Sequence, residues 1–176
     1  MRSRELMTSK SIYQDCMTSN QIIDGHDISN LFDLNKQPIS FADDLTKYIP
    51  KYGSIIYTVW DSKQNFIYVG IGGVGSTKNP RSRIAQHRNG GRSGDQFCVY
   101  IQDFFILPEL LKKEHYKPEK GLLDHQTKTY IQRNLGYRFV IIEKIARKDL
   151  IAIEEQIKRG VFGFPAPLLN GFPDVW

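Results

Sequence analysis

At 176 residues, 40% of them hydrophobic and 24% charged, the chain has the size of one ordinary domain with room for a short appendage. No stretch approaches the roughly 18 apolar residues of a membrane span, and Met1-Arg-Ser-Arg-Glu-Leu lacks the apolar run of a signal peptide, so the expectation is a cytoplasmic protein without a membrane partner. The net charge of +5 is uneven: residues 1–50 carry five Lys/Arg against seven Asp/Glu, whereas residues 62–94 carry six basic side chains and no acidic one, a one-signed stretch that attracts a polyanion.

Residues 1–37 are polar with weak periodicity and read as a partly irregular arm. Ser40-Phe-Ala-Asp43 resembles a capping box and predicts a short helix that Pro50 must end. Ser54 to Trp60 and Phe66 to Gly70 are rich in β-branched and aromatic residues and flank the turn-like Asp61-Ser-Lys-Gln-Asn65, which predicts a β-hairpin. A glycine-rich loop through Gly75 follows, then a helix from Pro80 to Gly90-Gly91 that carries Arg83 and His87. Ser93-Gly-Asp-Gln96 can cap a further helix, on which Phe97, Tyr100, Ile101, Phe104 and Phe105 recur at helical spacing until Pro108 closes it, with a strand as the alternative. Leu122 to Leu135 reads as a helix capped by Gly136, Tyr137 to Ile142 as a strand, and Lys148 to Arg159 as a last helix with Leu150, Ile153 and Ile157 on one face. The tail from Gly160 to Trp176 is expected to be irregular.

Cys16 and Cys98 lie far apart, outside any Cys/His cluster, and read as reduced thiols. Gly70-Ile-Gly72-Gly-Val-Gly75 satisfies the dinucleotide pattern, but Ser76 to Pro80 delays the helix that a Rossmann unit must start on those glycines, and the preceding strands form a hairpin, not a βαβ unit. No Gly-Lys-Ser/Thr triplet offers a Walker site. Trp60, Trp176 and the aromatic stripe from Phe97 to Phe105 read as core, and His26, His115 and His125 have no spacing that gives them a role.

Tyr57 in Ile55-Ile56-Tyr57 and Tyr68 in Tyr68-Val69-Gly70 sit on the two hairpin strands, and Arg83 and His87, four apart, share the next helix face. Far downstream Glu154, with Ile157 three positions on, lies on an otherwise apolar-striped helix, and Pro167-Leu-Leu-Asn170 follows. In this order over residues 53–171 the chain resembles the GIY-YIG nuclease superfamily, with Ile55 at the first glycine position and Val69 for the second isoleucine. The run His87-x-x-Gly90-x-Arg92-Ser-Gly-Asp-Gln-Phe97 is further similar to a group of stand-alone bacterial proteins of that superfamily.

The resemblance implies a small α/β domain over residues 53–176, with a central three-stranded, largely antiparallel sheet flanked by helices, behind an arm and short helix over residues 1–52. It implies an endonuclease that hydrolyses DNA phosphodiesters with one Mg²⁺ held by Glu154, for which Mn²⁺ can substitute; RNA stays open as a substrate, as does a monomer or a homodimer. Tyr57, Tyr68, Arg83, His87, Glu154 and Asn170 are then the catalytic set, with Arg83 on the non-bridging oxygens, Tyr68 on the phosphate and Asn170 near the reaction. The base is either Tyr57, a phenol that needs a nearby cation to ionise, or His87, which titrates near neutrality unaided. Lys78, Arg81, Arg88 and Arg92 are expected to track the nucleic-acid backbone. Glu155 is expected to be solvated, and the rival to the enzyme is a nucleic-acid-binding module that kept the fold and lost the chemistry.

Overall fold

The computed structural model of the chain describes residues 21–74, 79–113, 117 and 119–171. Its centre is the expected hairpin of β4 (Ser54–Asp61) and β5 (Phe66–Gly72). The turn forms because the Asp61 carboxylate accepts from the amides of Lys63 and Asn65, both at 2.8 Å. β6 (Leu135–Ile142) pairs antiparallel with the other edge of β4, and the two-residue β3 (Ile39–Ser40) pairs with β6, giving the order β3-β6-β4-β5. The protein is therefore mixed α/β with a four-stranded antiparallel sheet where the sequence predicts three strands.

The fourth strand explains a missing helix. Ser40 pairs with Gly136 through its backbone, so the predicted helix to Pro50 shrinks to a single 3₁₀ turn, Leu45–Lys47, capped by Asp44 at 3.0 Å from the Thr46 amide. Gly136 is not a helix cap either. A side chain there would run into Pro38 and the Ile39 carbonyl, so glycine is what allows β3 to approach.

β4 is buried on both sides because each face of the sheet is covered. Ile55, Tyr57 and Val59 look into one core with Phe41, Ile84, Phe97, Ile101 and Ile131; Ile56 and Trp60 look into the other with Leu31, Phe32, Leu150, Ile153 and Ile157. The first face is covered by α2 (Pro80–Asn89), α3 (Gln96–Ile101), α4 (Leu107–Leu111) and α5 (Leu122–Asn134). The second carries α1 (Ser29–Phe32) and α6 (Arg147–Lys158). The arm is thus not irregular throughout: β1 (Ile22–Ile23) and β2 (His26–Asp27) form a hairpin, and Ile28, Leu31 and Phe32 are fully buried.

Pro108 does not end the helix that begins at Gln96. A π-helical stretch, Gln102–Ile106, joins α3 to α4, and Pro108 then occupies the first turn of α4, the wider π turn before it accommodating the residue without an amide proton. The wider turn rotates the aromatic stripe, so Phe97 is buried while Phe104 is 55% exposed. Among the described residues no helix is long and apolar enough to cross a membrane.

Candidate active site

Tyr57 lies directly across the hairpin from Gly70, and its ring covers that glycine so closely that a methyl group there would overlap the phenol oxygen. Tyr68, two residues earlier on β5, stacks near it with ring centroids 6.4 Å apart. Both rings face α2, which Asn79 starts by accepting from the Arg81 amide at 3.0 Å and Gly90 ends in a left-handed conformation. Arg83 and His87, one turn apart, project from this helix toward the tyrosines.

The Tyr57 hydroxyl is 2.6 Å from His87 Nε2, and His87 Nδ1 is 2.6 Å from Asp95 Oδ2. All three residues are buried. Asp95 is also the N-cap of α3, its Oδ1 accepting from the Phe97 amide at 3.1 Å, and the Cys98 thiol lies 3.5 Å from Oδ2. Arg83, with 30% of its side chain exposed, stands 4.0 Å from Asp95 Oδ1 and holds Gln86 Oε1 at 3.1 Å.

Burial, followed by the neighbouring Tyr68, pushes the Tyr57 phenol well above its ordinary range, against the pull of Arg83. Burial likewise raises Tyr68 to about 12, with Arg83 opposing and the Glu154 charge adding to the rise. The burial that lowers His87 outweighs the support of Asp95, so the imidazole favours its neutral form. Burial would raise Asp95, yet the hydrogen bond from His87, with the Arg83 charge and the Cys98 thiol, holds it below the usual carboxylate range.

From α6, on the other face of the sheet, Glu154 is tied to the cluster through its charge, which helps to raise the Tyr68 phenol. Leu150, Ile153 and Ile157 seat that helix in the second core, the Glu154 side chain is only 12% exposed, and its Oε1 is 3.1 Å from Lys158 Nζ. Glu155 is exposed. Asn170 takes up a structural position: Oδ1 accepts from the Val69 amide at 3.1 Å and Nδ2 donates to the Val69 carbonyl at 2.7 Å. With the amides of Leu168 and Leu169 bound to the carbonyls of Phe66 and Ile67, the tail covers the free edge of β5 beside Tyr68.

The basic residues expected on a nucleic-acid track divide. Arg81 donates to the Ile49 carbonyl at 2.6 Å and Arg88 to the carbonyls of Asp43 and Ala42 at 3.2 and 3.1 Å, so both guanidiniums brace the segment before β4. Arg92 is exposed, and Lys78 lies outside the described residues.

Two residues of the cluster escape the sequence reading. Asp95 stands there as a helix cap and as one position of the run from His87 to Phe97, without a chemical role, and capping occupies one carboxylate oxygen and leaves the other for His87; Cys98 stands as an isolated thiol. His87, Asp95 and Cys98 each bring a potential metal ligand within 4.8 Å of the others. The 2.6 Å between Nδ1 and Oδ2 is a hydrogen-bond length, however, whereas two ligands on a tetrahedral Zn²⁺ stand about 3.3 Å apart. We therefore treat the three as a hydrogen-bonded set. Glu154, a largely enclosed carboxylate paired with Lys158, is the hard oxygen donor of the kind a divalent ion such as Mg²⁺ takes.

No protein-family model, curated protein or solved structure matches the chain, so the functional reading rests on the chemistry of this cluster.

Proposed function

We propose that the chain is a cytoplasmic, magnesium-dependent endonuclease of the GIY-YIG kind that hydrolyses phosphodiesters in DNA. The observation that carries the reading is the clustering of Tyr57, Tyr68, Arg83 and His87, drawn from β4, β5 and α2, around one buried hydrogen-bonded chain, with the Glu154 charge on α6 acting on Tyr68.

Hydrolysis needs a water to lose a proton as it attacks phosphorus, and the bond to the 3′-oxygen to break. Burial keeps Tyr57 protonated, so it cannot wait as a phenolate. It can take the water's proton only while passing its own to His87 Nε2, 2.6 Å away, and this coupling makes the pair the base. Arg83 is the cation with an exposed side, and its planar fork suits the non-bridging oxygens on which charge accumulates. Tyr68, stacked near Tyr57, is the donor to the phosphate in this reading. Mg²⁺ bound at Glu154 would supply positive charge for the departing oxygen. Asn170 contributes by fixing the backbone between Tyr68 and Gly70.

The test is nicking of supercoiled plasmid with Mg²⁺ or Mn²⁺. Wild type is expected to convert it to open-circular or linear forms, and Glu154→Ala to lose the metal-dependent activity by about 100-fold or more. The full burial of Tyr57 and His87 favours a second reading, a nucleic-acid-binding module without chemistry. Protein that retards DNA in a gel yet leaves plasmid intact with either metal decides for that module.

A further inference from the structure

We propose that Asp95 is a positioning residue: it fixes His87 in the tautomer that carries its proton on Nδ1, so that Nε2 presents a bare lone pair to the Tyr57 hydroxyl. Its catalytic consequence rests on the nuclease reading; the tautomer itself does not.

The assignment follows from counting donors around a carboxyl that has no solvent. Oδ2 faces His87 Nδ1 at 2.6 Å and the Cys98 thiol at 3.5 Å. Oδ1 faces the Phe97 amide at 3.1 Å and the Arg83 guanidinium at 4.0 Å. An amide and a guanidinium only donate, and a buried thiol meets a carboxyl oxygen as a donor. A protonated Asp95 could give its hydrogen only to Nδ1 or to the weakly accepting Cys98 sulfur and would forgo the attraction of the Arg83 cation, whereas the ionised group accepts from the Phe97 amide, the Cys98 thiol and an Nδ1–H at once, so the group is read as a carboxylate. A carboxylate 2.6 Å from an imidazole nitrogen requires the hydrogen to be on that nitrogen. In the neutral ring Nε2 is then an acceptor, and its partner at 2.6 Å, the Tyr57 phenol, is the donor.

The device is rigid at both ends. Because the same carboxylate caps α3, its position is set by backbone and not by a free rotamer. The imidazole is enclosed by Phe97 at 4.6 Å, Tyr57 at 5.7 Å and Tyr68 at 5.8 Å between ring centroids, and both its nitrogens are already bonded, which opposes a flip. In the reaction the water's O–H breaks as its oxygen bonds phosphorus and the P–O3′ bond breaks, the 3′-oxygen leaving with the bonding pair and taking a proton from solvent; the water's proton goes to Tyr57 Oη, and the Tyr57 proton goes to Nε2. The imidazolium so formed remains paired with the Asp95 carboxylate. The opposite tautomer has a hydrogen on Nε2 and cannot accept.

Long-range proton–nitrogen correlation spectra of ¹⁵N-labelled wild-type protein at neutral pH report which ring nitrogen is protonated, and the His87 signals are those absent from His87→Gln. The expected pattern is a protonated Nδ1 and a bare Nε2; an Nε2–H tautomer or an imidazolium overturns the proposal. Asp95→Asn replaces the acceptor with a group that can donate to Nδ1. In that variant the proton is expected to move to Nε2 and kcat for plasmid nicking to fall about 100-fold or more, with the affinity for plasmid unchanged. Asp95→Asn protein with wild-type kcat overturns the proposal, and should the variant fail to fold, the wild-type spectrum decides. Wild-type protein that nicks nothing while His87 shows the Nδ1–H form sinks the nuclease reading and leaves the tautomer standing.

Discussion

Gly70 is the residue on which the Tyr57 geometry depends, since the phenol occupies the space a side chain would need. Gly70→Ala is expected to destabilise the protein by about 1–3 kcal/mol and to displace Tyr57 from His87, read as a lower unfolding midpoint together with lost nicking. His87 has a folded pKa below its ordinary value, so the unfolded chain binds the proton more readily. The stability that its neutral form contributes is complete above about pH 6.5 and is lost as pH falls from there toward the folded pKa. Melting temperatures followed from pH 7.5 to 5.5 should decline in wild type and decline less in His87→Gln; parallel curves would refute the assignment. Tyr57, Arg83 and His87 were legible in the sequence because strand alternation and the four-residue helical repeat fix which side chains share a face. Asp95 was not, because its cap role hides a second use that only the packing of α3 against α2 reveals.

At the scale of elements, what the sequence hides is pairing between distant segments. The β4–β5 hairpin and α6 were legible from local composition. β3 was not, since two residues carry no periodicity and their strand exists only through Tyr137 and Gly136. The closing Pro-x-x-Asn is legible as a motif, but its work is on an edge: Asn170→Ala removes both bonds to Val69 and is expected to cost about 1–3 kcal/mol, with partial loss of activity as Tyr68 loosens. On α6, the Lys158 ammonium 3.1 Å from Glu154 competes for the carboxylate. Lys158→Met should lower the Mg²⁺ concentration for half-maximal nicking by about two- to fivefold; a higher requirement would mean that Lys158 helps to hold the substrate instead.

For the whole molecule, the sheet is one wall shared by two cores, and residues from the arm complete both. Phe41 and Ile49 belong to the core with Tyr57, and Ile28, Leu31 and Phe32 to the core that seats α6. Phe32 is ringed by Trp60, Phe66, Phe162 and Phe164, so Phe32→Ala is expected to cost about 3–5 kcal/mol in denaturant titration. A fragment beginning at residue 53 should show no cooperative unfolding. Folded behaviour of that fragment would instead support the boundary that composition suggests between an acidic arm and a basic domain.

The enclosure of His87 has one more consequence. Its ring is walled by Tyr57, Tyr68 and Phe97, while His125 is exposed and His26 partly so. A reagent that acylates imidazoles, such as diethyl pyrocarbonate, will therefore mark His125 and His26 at once and meet His87 only when the wall between α2, α3 and the hairpin parts. The slow phase of labelling is then a clock for the opening of the site, and a nucleic acid that seals the cluster should slow that clock without touching the fast phase.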